Sequence, residues 1–109
     1  MAGVTTGYGR MAGAGVSLST ENARRLLATN GQLVDVRSPA EFDRDALPGA
    51  VNFPMDAISW RYRSLMRWRP VILYGNSVVH CHRVARLLAG EGFSSIYYLK
   101  TDRSGQPDA

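Results

Sequence analysis

The sequence LVDVRSPAEF, residues 33–42, contains the signals that decide the fold. Its first four residues form a short run that is apolar except for one acid, which is typical of a strand buried in a parallel sheet. Ser38 and Glu41 then have the spacing of a capping box, and Pro39 stands at the first helical position. A buried strand that leads directly into a helix is the repeating unit of α/β proteins, so this stretch predicts such a fold.

The rest of the chain continues this alternation of strands and helices. The sequence predicts strands at Val16–Leu18, 33–36, 50–53, Val71–Tyr74 and 95–99. It predicts helices after a cap at Ser19 or Thr20, from Pro39, over 56–67 and over about 80–90, and the third of these has Ile58, Tyr62, Leu65 and Met66 on its inner side. This order indicates an α/β sheet that is largely parallel and covered by helices on both faces.

Length and composition indicate one soluble domain. A chain of 109 residues suits a single core, and no stretch approaches the ~20 consecutive apolar residues that span a membrane. We expect a disordered leader at 1–15, a folded domain at 16–100 and a flexible tail at 101–109. The only cysteine, Cys81, excludes an intrachain disulfide, and the N-terminus shows no apolar signal segment, so the expected location is the cytoplasm.

Two motifs at their observed separation carry a resemblance to a known family. LVDVRSPAEF at 33–42 and LPGAVNFP at 47–54 together resemble the front half of a single-domain rhodanese, and VILY at 71–74 resembles the strand before that family's active-site loop. The resemblance covers roughly residues 16–99. It implies a five-stranded, mostly parallel sheet with helices on both faces and an active-site loop at the carboxyl end of a strand, where open α/β sheets bind ligands.

The resemblance also implies what the loop after residue 74 should contain. Rhodaneses carry sulfur as a persulfide on a cysteine that opens this loop, and the aligned residue here, without a gap, is Gly75. Two further family features are altered, since Asp45 and Ala46 replace a Gly-His pair and 100–102 replaces a Gly-Gly pair. We therefore predict a non-catalytic binding or regulatory module rather than a standard sulfurtransferase.

The loop backbone can still bind a ligand, because converging N–H groups at a helix N-terminus form an anion site. The candidate binding residues in the loop are Gly75, Asn76, Ser77, Val78, Val79, His80 and Cys81. Their expected ligand is a small anion or an unknown protein partner, and the expected cofactor is none.

Cys81 offers an alternative in which the chain remains an enzyme. It is predicted to lie in the first turn of a helix, where the helix dipole favours a thiolate by about 0.3–1 kcal/mol. It could then carry a persulfide as a sulfurtransferase or redox enzyme, with thiosulfate as donor and a thiol or cyanide as acceptor. The other interpretation, which we favour, is that Cys81 packs as a small apolar side chain.

Two other functions suggested by His80 and Cys81 fail on spacing. Arg86 follows Cys81 by five residues rather than the six of the tyrosine and dual-specificity phosphatase loop. Adjacent residues on a helix do not face one another, so His80, Cys81 and His82 do not form a metal site. We expect no metal.

Asp35 and Arg37 are the other polar candidates, because they stand at the carboxyl end of the second predicted strand. The resemblance implies that the acid helps to tether the active-site region. Each residue could satisfy loop N–H and C=O groups, contact a substrate, or do both.

Residues 60–69, WRYRSLMRWR, interleave aromatics with arginines. This composition suits phosphate contacts and base stacking, so weak nucleic-acid binding is a further alternative. If the segment is a helix with its apolar side on the sheet, however, the arginines simply form its solvated face. We favour that interpretation and expect no nucleic-acid function, although Trp and Arg also suit a protein contact.

Overall fold

The structure is a computed structural model that describes residues 16–99, with the side chain of Val16 excepted. The leader predicted at 1–15 and the tail predicted at 101–109 lie outside the described residues. The strands are β1 (Val16–Leu18), β2 (Gln32–Asp35), β3 (Val51–Asn52), β4 (Val71–Tyr74) and β5 (Ile96–Leu99). The helices are α1 (Thr20–Thr29), α2 (Pro39–Asp45), α3 (Ile58–Arg61) and α4 (Val78–Gly90), and a 3₁₀ turn, Tyr62–Ser64, follows α3.

The five strands form one sheet in the order β1-β5-β4-β2-β3, and all of their pairings are parallel. All four residues of the central strand β4 are buried, because helices cover the sheet on both sides. The predicted α/β architecture with a five-stranded parallel sheet is therefore confirmed.

Successive residues of β4 point to opposite faces of the sheet and so enter two separate cores. Val71 and Leu73 pack with residues of α3, the 3₁₀ turn and α4. Ile72 and Tyr74 pack with Ala23 and other residues of α1. None of the helices within residues 16–99 is long and apolar enough to cross a membrane.

Side-chain caps set the start of three helices. Ser19 caps α1, and Ser38 and Glu41 form the predicted capping box of α2, with Pro39 in the first turn. Ser77 caps α4, because its side chain accepts a hydrogen bond from Val79 N at 3.1 Å. The last helix therefore begins at Val78, two residues before the predicted start.

The predicted helix over 56–67 is wrong in its length. Only one helical turn forms in α3, and after the 3₁₀ turn the backbone of Leu65 is extended. The side chain of Gln32 then accepts from Met66 N at 2.7 Å and donates to Met66 O at 2.9 Å, which holds the chain out of a helix. As a result Met66 is 42% exposed and is not part of the predicted inner side, whereas Ile58, Tyr62 and Leu65 are buried.

Candidate active-site loop

The loop that connects β4 to α4 lies at the carboxyl edge of the sheet. β2 ends beside it, since Val36 N donates to Tyr74 O at 2.9 Å, and Phe53 N after β3 donates to Asp35 O at 2.9 Å. The carboxyl ends of β2, β3 and β4 therefore lie together beside the loop. This is the position at which open α/β sheets bind ligands.

Gly75 opens the loop and is closely surrounded. A Cβ placed on it would lie 2.8 Å from Cγ2 of Val36 and 3.4 Å from Sγ of Cys81. The backbone itself is not the obstacle, because among the described glycines only Gly49 and Gly92 have a positive φ. Packing by Val36 and Cys81, rather than backbone conformation, therefore favours glycine at this position.

Cys81 turns its thiol toward the space above Gly75 and away from solvent. It is only 4% exposed, and burial, together with the charge of Asp35, raises the pKa of its thiol to about 11. A rise of that size disfavours the thiolate by roughly 3 kcal/mol, which exceeds the 0.3–1 kcal/mol that a helix N-terminus contributes in the other direction. The geometry therefore supports Cys81 as a packed thiol and not as an exposed nucleophile.

This burial predicts slow modification of Cys81 by iodoacetamide at about pH 8, at least a hundredfold slower in the folded chain than in denaturant, since only the thiolate reacts. Intact-mass spectrometry over time measures both rates. Because the folded-state pKa is raised, the neutral thiol stabilises the fold below the unfolded pKa and this contribution is lost as the pH rises toward about 11. Equal rates in the folded and unfolded chains would contradict the buried, neutral thiol.

Asp35 and Arg37 form a buried ion pair rather than an open polar site. Asp35 is fully buried and Arg37 is 7% exposed. The Arg37 Nη2 atom donates to Asp35 Oδ2 at 2.9 Å, its Nε lies 3.2 Å from both carboxylate oxygens, and its backbone N–H donates to Oδ1 at 2.8 Å. These contacts engage most of the guanidinium with the protein itself.

Asp45 completes the environment of this arginine. Its Oδ1 accepts from Arg37 Nη1 at 2.9 Å, and the guanidinium lies 4.8 Å from the ring centroid of Tyr74. The two acids raise the pKa of Arg37 above its ordinary value. Asp45, noted in the sequence only as a departure from the family pattern, therefore has a defined partner in the structure.

Glu41 ties the loop to the N-terminus of α2. Its Oε1 accepts from the backbone and side chain of Ser38, as the capping box requires, while its Oε2 accepts from Asn76 Nδ2 at 2.7 Å. The bond from Asn76 is the main cause that lowers the pKa of Glu41. The sequence predicts only the capping role of Glu41. A capping box uses one carboxylate oxygen, and the free second oxygen is the signal that Glu41 can also bind the loop.

A cleft of about 360 Å³ lies between the loop, α2 and the segment after β3. Of the predicted site residues it is lined by Arg37, Asn76 and His80, and Glu41 and Asp56 contribute carboxylates to the same lining. Asp35, Gly75, Ser77, Val78, Val79 and Cys81 do not line it. Across residues 16–99 no three side chains among His, Cys, Asp and Glu come together as a metal site.

Comparison with protein-family models matches residues 19–104 to the rhodanese-like domain. The chain belongs to the rhodanese-like domain family. The resemblance seen in the sequence is thereby confirmed. The only cysteine of this rhodanese-like domain is the buried Cys81, which is compatible with the loss of the nucleophile at position 75.

Two relatives and one solved structure illustrate what this rhodanese-like domain is similar to. The uncharacterized protein YqhL of Bacillus subtilis (strain 168) is 36% identical over 81 residues, which cover 74% of this chain and 64% of YqhL. A sulfurtransferase of Allochromatium vinosum is 29% identical over 68 residues, which cover 62% of this chain and 64% of that protein. The structure of the human single-domain sulfurtransferase TSTD1 aligns with a TM-score of 0.64 at 20% identity, and the alignment covers 75% of this chain and 86% of TSTD1. At this identity the similarity shows only that the fold is shared. The matched region is thus slightly under two thirds of the length of both curated relatives.

Proposed function

We propose that this rhodanese-like domain is a binding or regulatory module that does not carry sulfur. The observation that supports the proposal most directly is the packing at Gly75. No thiol stands where the family bears its nucleophile, and the one thiol nearby, on Cys81, is buried with its pKa raised.

The cleft beside the loop is the proposed binding surface. The loop is held in place by the bond between Asn76 and Glu41, so its shape is set before a ligand arrives. Val78 and Val79, on the first turn of α4 next to the loop, are both exposed and offer apolar surface to a partner. A rigid cleft with an exposed apolar neighbour is suited to contact with another protein.

The charges around the cleft favour a protein partner over a free anion. The N–H groups in the first turn of α4 attract an anion. The carboxylates of Glu41 and Asp56, however, line the same cleft, and Arg37 is engaged by Asp35 and Asp45. A small anion would therefore meet two negative charges without a free arginine to offset them.

Thiosulfate loading tests the proposal. The wild-type chain is incubated with thiosulfate, and added sulfur is measured by intact mass, beside Cys81→Ser and beside Gly75→Cys made together with Cys81→Ser, called here the restored variant. We expect no sulfur on the wild type or on Cys81→Ser. The restored variant shows that the assay can detect a persulfide on this fold.

The competing function is a sulfurtransferase that carries the persulfide on Cys81, as the similarity to the Allochromatium vinosum sulfurtransferase would suggest. That function predicts sulfur on the wild type and none on Cys81→Ser. Such a result would overturn the binding-module proposal.

A further inference from the structure

The segment 60–69, called here the basic aromatic segment, presents two large rings to solvent. Trp60 is 63% exposed and Trp68 is 77% exposed, although Tyr62 and Leu65 between them are buried. An indole ring gains more from burial than almost any other side chain. Two exposed tryptophans in so short a segment therefore indicate a contact surface.

The same segment carries positive charge that the protein does not neutralise. Its arginines are Arg61, Arg63, Arg67 and Arg69. Within residues 16–99 the ion pairs are Arg25 with Glu21, and Arg37 with Asp35 and Asp45, so none involves this segment. Since the whole chain also has a net charge of +4, the surface is complementary to an anionic partner.

Cation and ring are stacked at one end of the segment. The guanidinium of Arg61 lies 5.6 Å from the ring centroid of Trp60 and 5.2 Å from that of Phe53. An open groove of about 620 Å³ lies beside it, lined by Phe42, Phe53, Arg61 and Ser64 among others, with Asp43 as its one acid. Flat rings next to guanidinium groups are the arrangement on which unpaired bases stack.

Long-range contacts hold the segment in this shape. The side chain of Gln32 accepts from Met66 N, donates to Met66 O and also donates to Arg69 O at 3.2 Å. In addition, Tyr62 Oη donates to Glu91 Oε1 at 2.9 Å. Arg61, Arg63 and Arg67 are exposed, as expected, although the helix predicted to carry them ends at Arg61. The bonds of Gln32 fix the backbone that carries the exposed rings, which lowers the entropy cost of binding.

We propose that the basic aromatic segment and the groove beside it bind single-stranded nucleic acid. Arg61 and Arg63 contact phosphates, and Trp60 and Trp68 stack on bases. Arg67 and Arg69 add their charge, since their side chains already donate to backbone carbonyls. A duplex hides the faces of its bases, so it binds more weakly than a single strand. An acidic peptide would use the arginines but would give the two exposed indoles no flat partner. The proposal does not depend on the loop or on its sulfur chemistry.

Fluorescence anisotropy with labelled oligo-dT and oligo-U of about 12 nucleotides tests this on the full chain. We expect binding at about 20 mM salt that weakens steeply toward 200 mM. Trp60→Ala and Trp68→Ala are each expected to weaken binding about five- to a hundredfold. Both tryptophans are exposed, so these variants should fold, and circular dichroism verifies this.

Two matched pairs of charge substitutions separate a local site from general attraction. Arg61→Gln with Arg63→Gln should reduce the slope of log K against log salt by about 1.4, since each phosphate contact contributes roughly 0.7 for a single strand. Arg24→Gln with Arg25→Gln removes the same charge from α1, which packs on the opposite face of the sheet, and should leave the slope nearly unchanged.

Any one of the following outcomes would overturn the proposal. They are no binding at about 20 mM salt, an equal loss in both arginine pairs, and a duplex bound as well as the single strand. If poly-glutamate displaces the oligonucleotide and both tryptophan variants bind the oligonucleotide as tightly as the wild type, the surface binds acidic proteins. That result would also contradict the proposal.

Discussion

Arg37→Ala is expected to lower the free energy of unfolding by about 3–5 kcal/mol, because it leaves the carboxylate of Asp35 buried without its partner. Asp35 is fully buried and accepts three side-chain contacts from Arg37. A loss of this size is a large fraction of the about 5–15 kcal/mol that typically stabilises a folded domain. Urea denaturation followed by circular dichroism measures the change.

Two controls show whether the lost ion pair is the cause. Arg44→Ala removes a charge from an exposed position on the same helix as Asp45 and should change stability by no more than about 0.5 kcal/mol. Asp35→Asn combined with Arg37→Leu removes the buried charge together with its partner, and it should retain more stability than Arg37→Ala alone. An Arg37→Ala midpoint equal to that of Arg44→Ala would show that the pair contributes little.

Gly75→Cys, made together with Cys81→Ser, is expected to accept sulfur from thiosulfate, whereas the wild-type chain is expected not to. The introduced thiol would stand at the carboxyl end of β4 beside the N-terminus of α4, where N–H groups lower the pKa of a thiol. Intact mass after thiosulfate should show one added sulfur. A folded variant that gains no sulfur would show that the loop backbone no longer supports the chemistry.

The same substitution should cost stability, because its Cβ would lie 2.8 Å from Cγ2 of Val36. Overpacking of this kind costs about 1–3 kcal/mol. Val36→Ala should recover part of that loss, and a double-mutant cycle is expected to give a favourable coupling of about 0.5–3 kcal/mol. If Gly75→Cys with Cys81→Ser does not fold, the same variant with Val36→Ala added supplies the sulfur-loading result.

Cys81 has to be replaced in this experiment because its thiol would lie close to the introduced one. The Cβ position of residue 75 is 3.4 Å from Cys81 Sγ. With Cys81 retained, its thiolate can attack the inner sulfur of the persulfide, forming a disulfide and releasing hydrosulfide. The mass would then show the loss of two hydrogens rather than the gain of sulfur, which distinguishes the two backgrounds.

The confirmed predictions rest on local signals. Ser38, Pro39 and Glu41 specify the start of α2 within four consecutive positions, and the apolar run of β4 is recognisable without any partner. The start of α4 is predicted two residues late, because its cap, Ser77, stands among other polar residues of the loop.

The prediction of a helix over 56–67 is wrong because a residue far away in the chain determines the structure of this segment. Its apolar spacing does suit a helix, but Gln32 accepts the hydrogen bond from Met66 N that a helix would direct to Tyr62 O. No pattern inside the segment reveals a competitor that lies 34 residues earlier. The exposure of Met66 therefore could not be predicted from the segment alone.

The sequence alone determined the family, the order of strands and helices, and the absence of a cysteine at Gly75. These depend on residue identity and on neighbours within a few positions. Only the tertiary structure decided that the thiol of Cys81 is buried with a raised pKa, that Arg37 is held by Asp35 and Asp45, and that Asn76 binds Glu41. Burial and long-range hydrogen bonds form when separate strands and helices meet, and they set the charge and reactivity of side chains whose identity the sequence had already given.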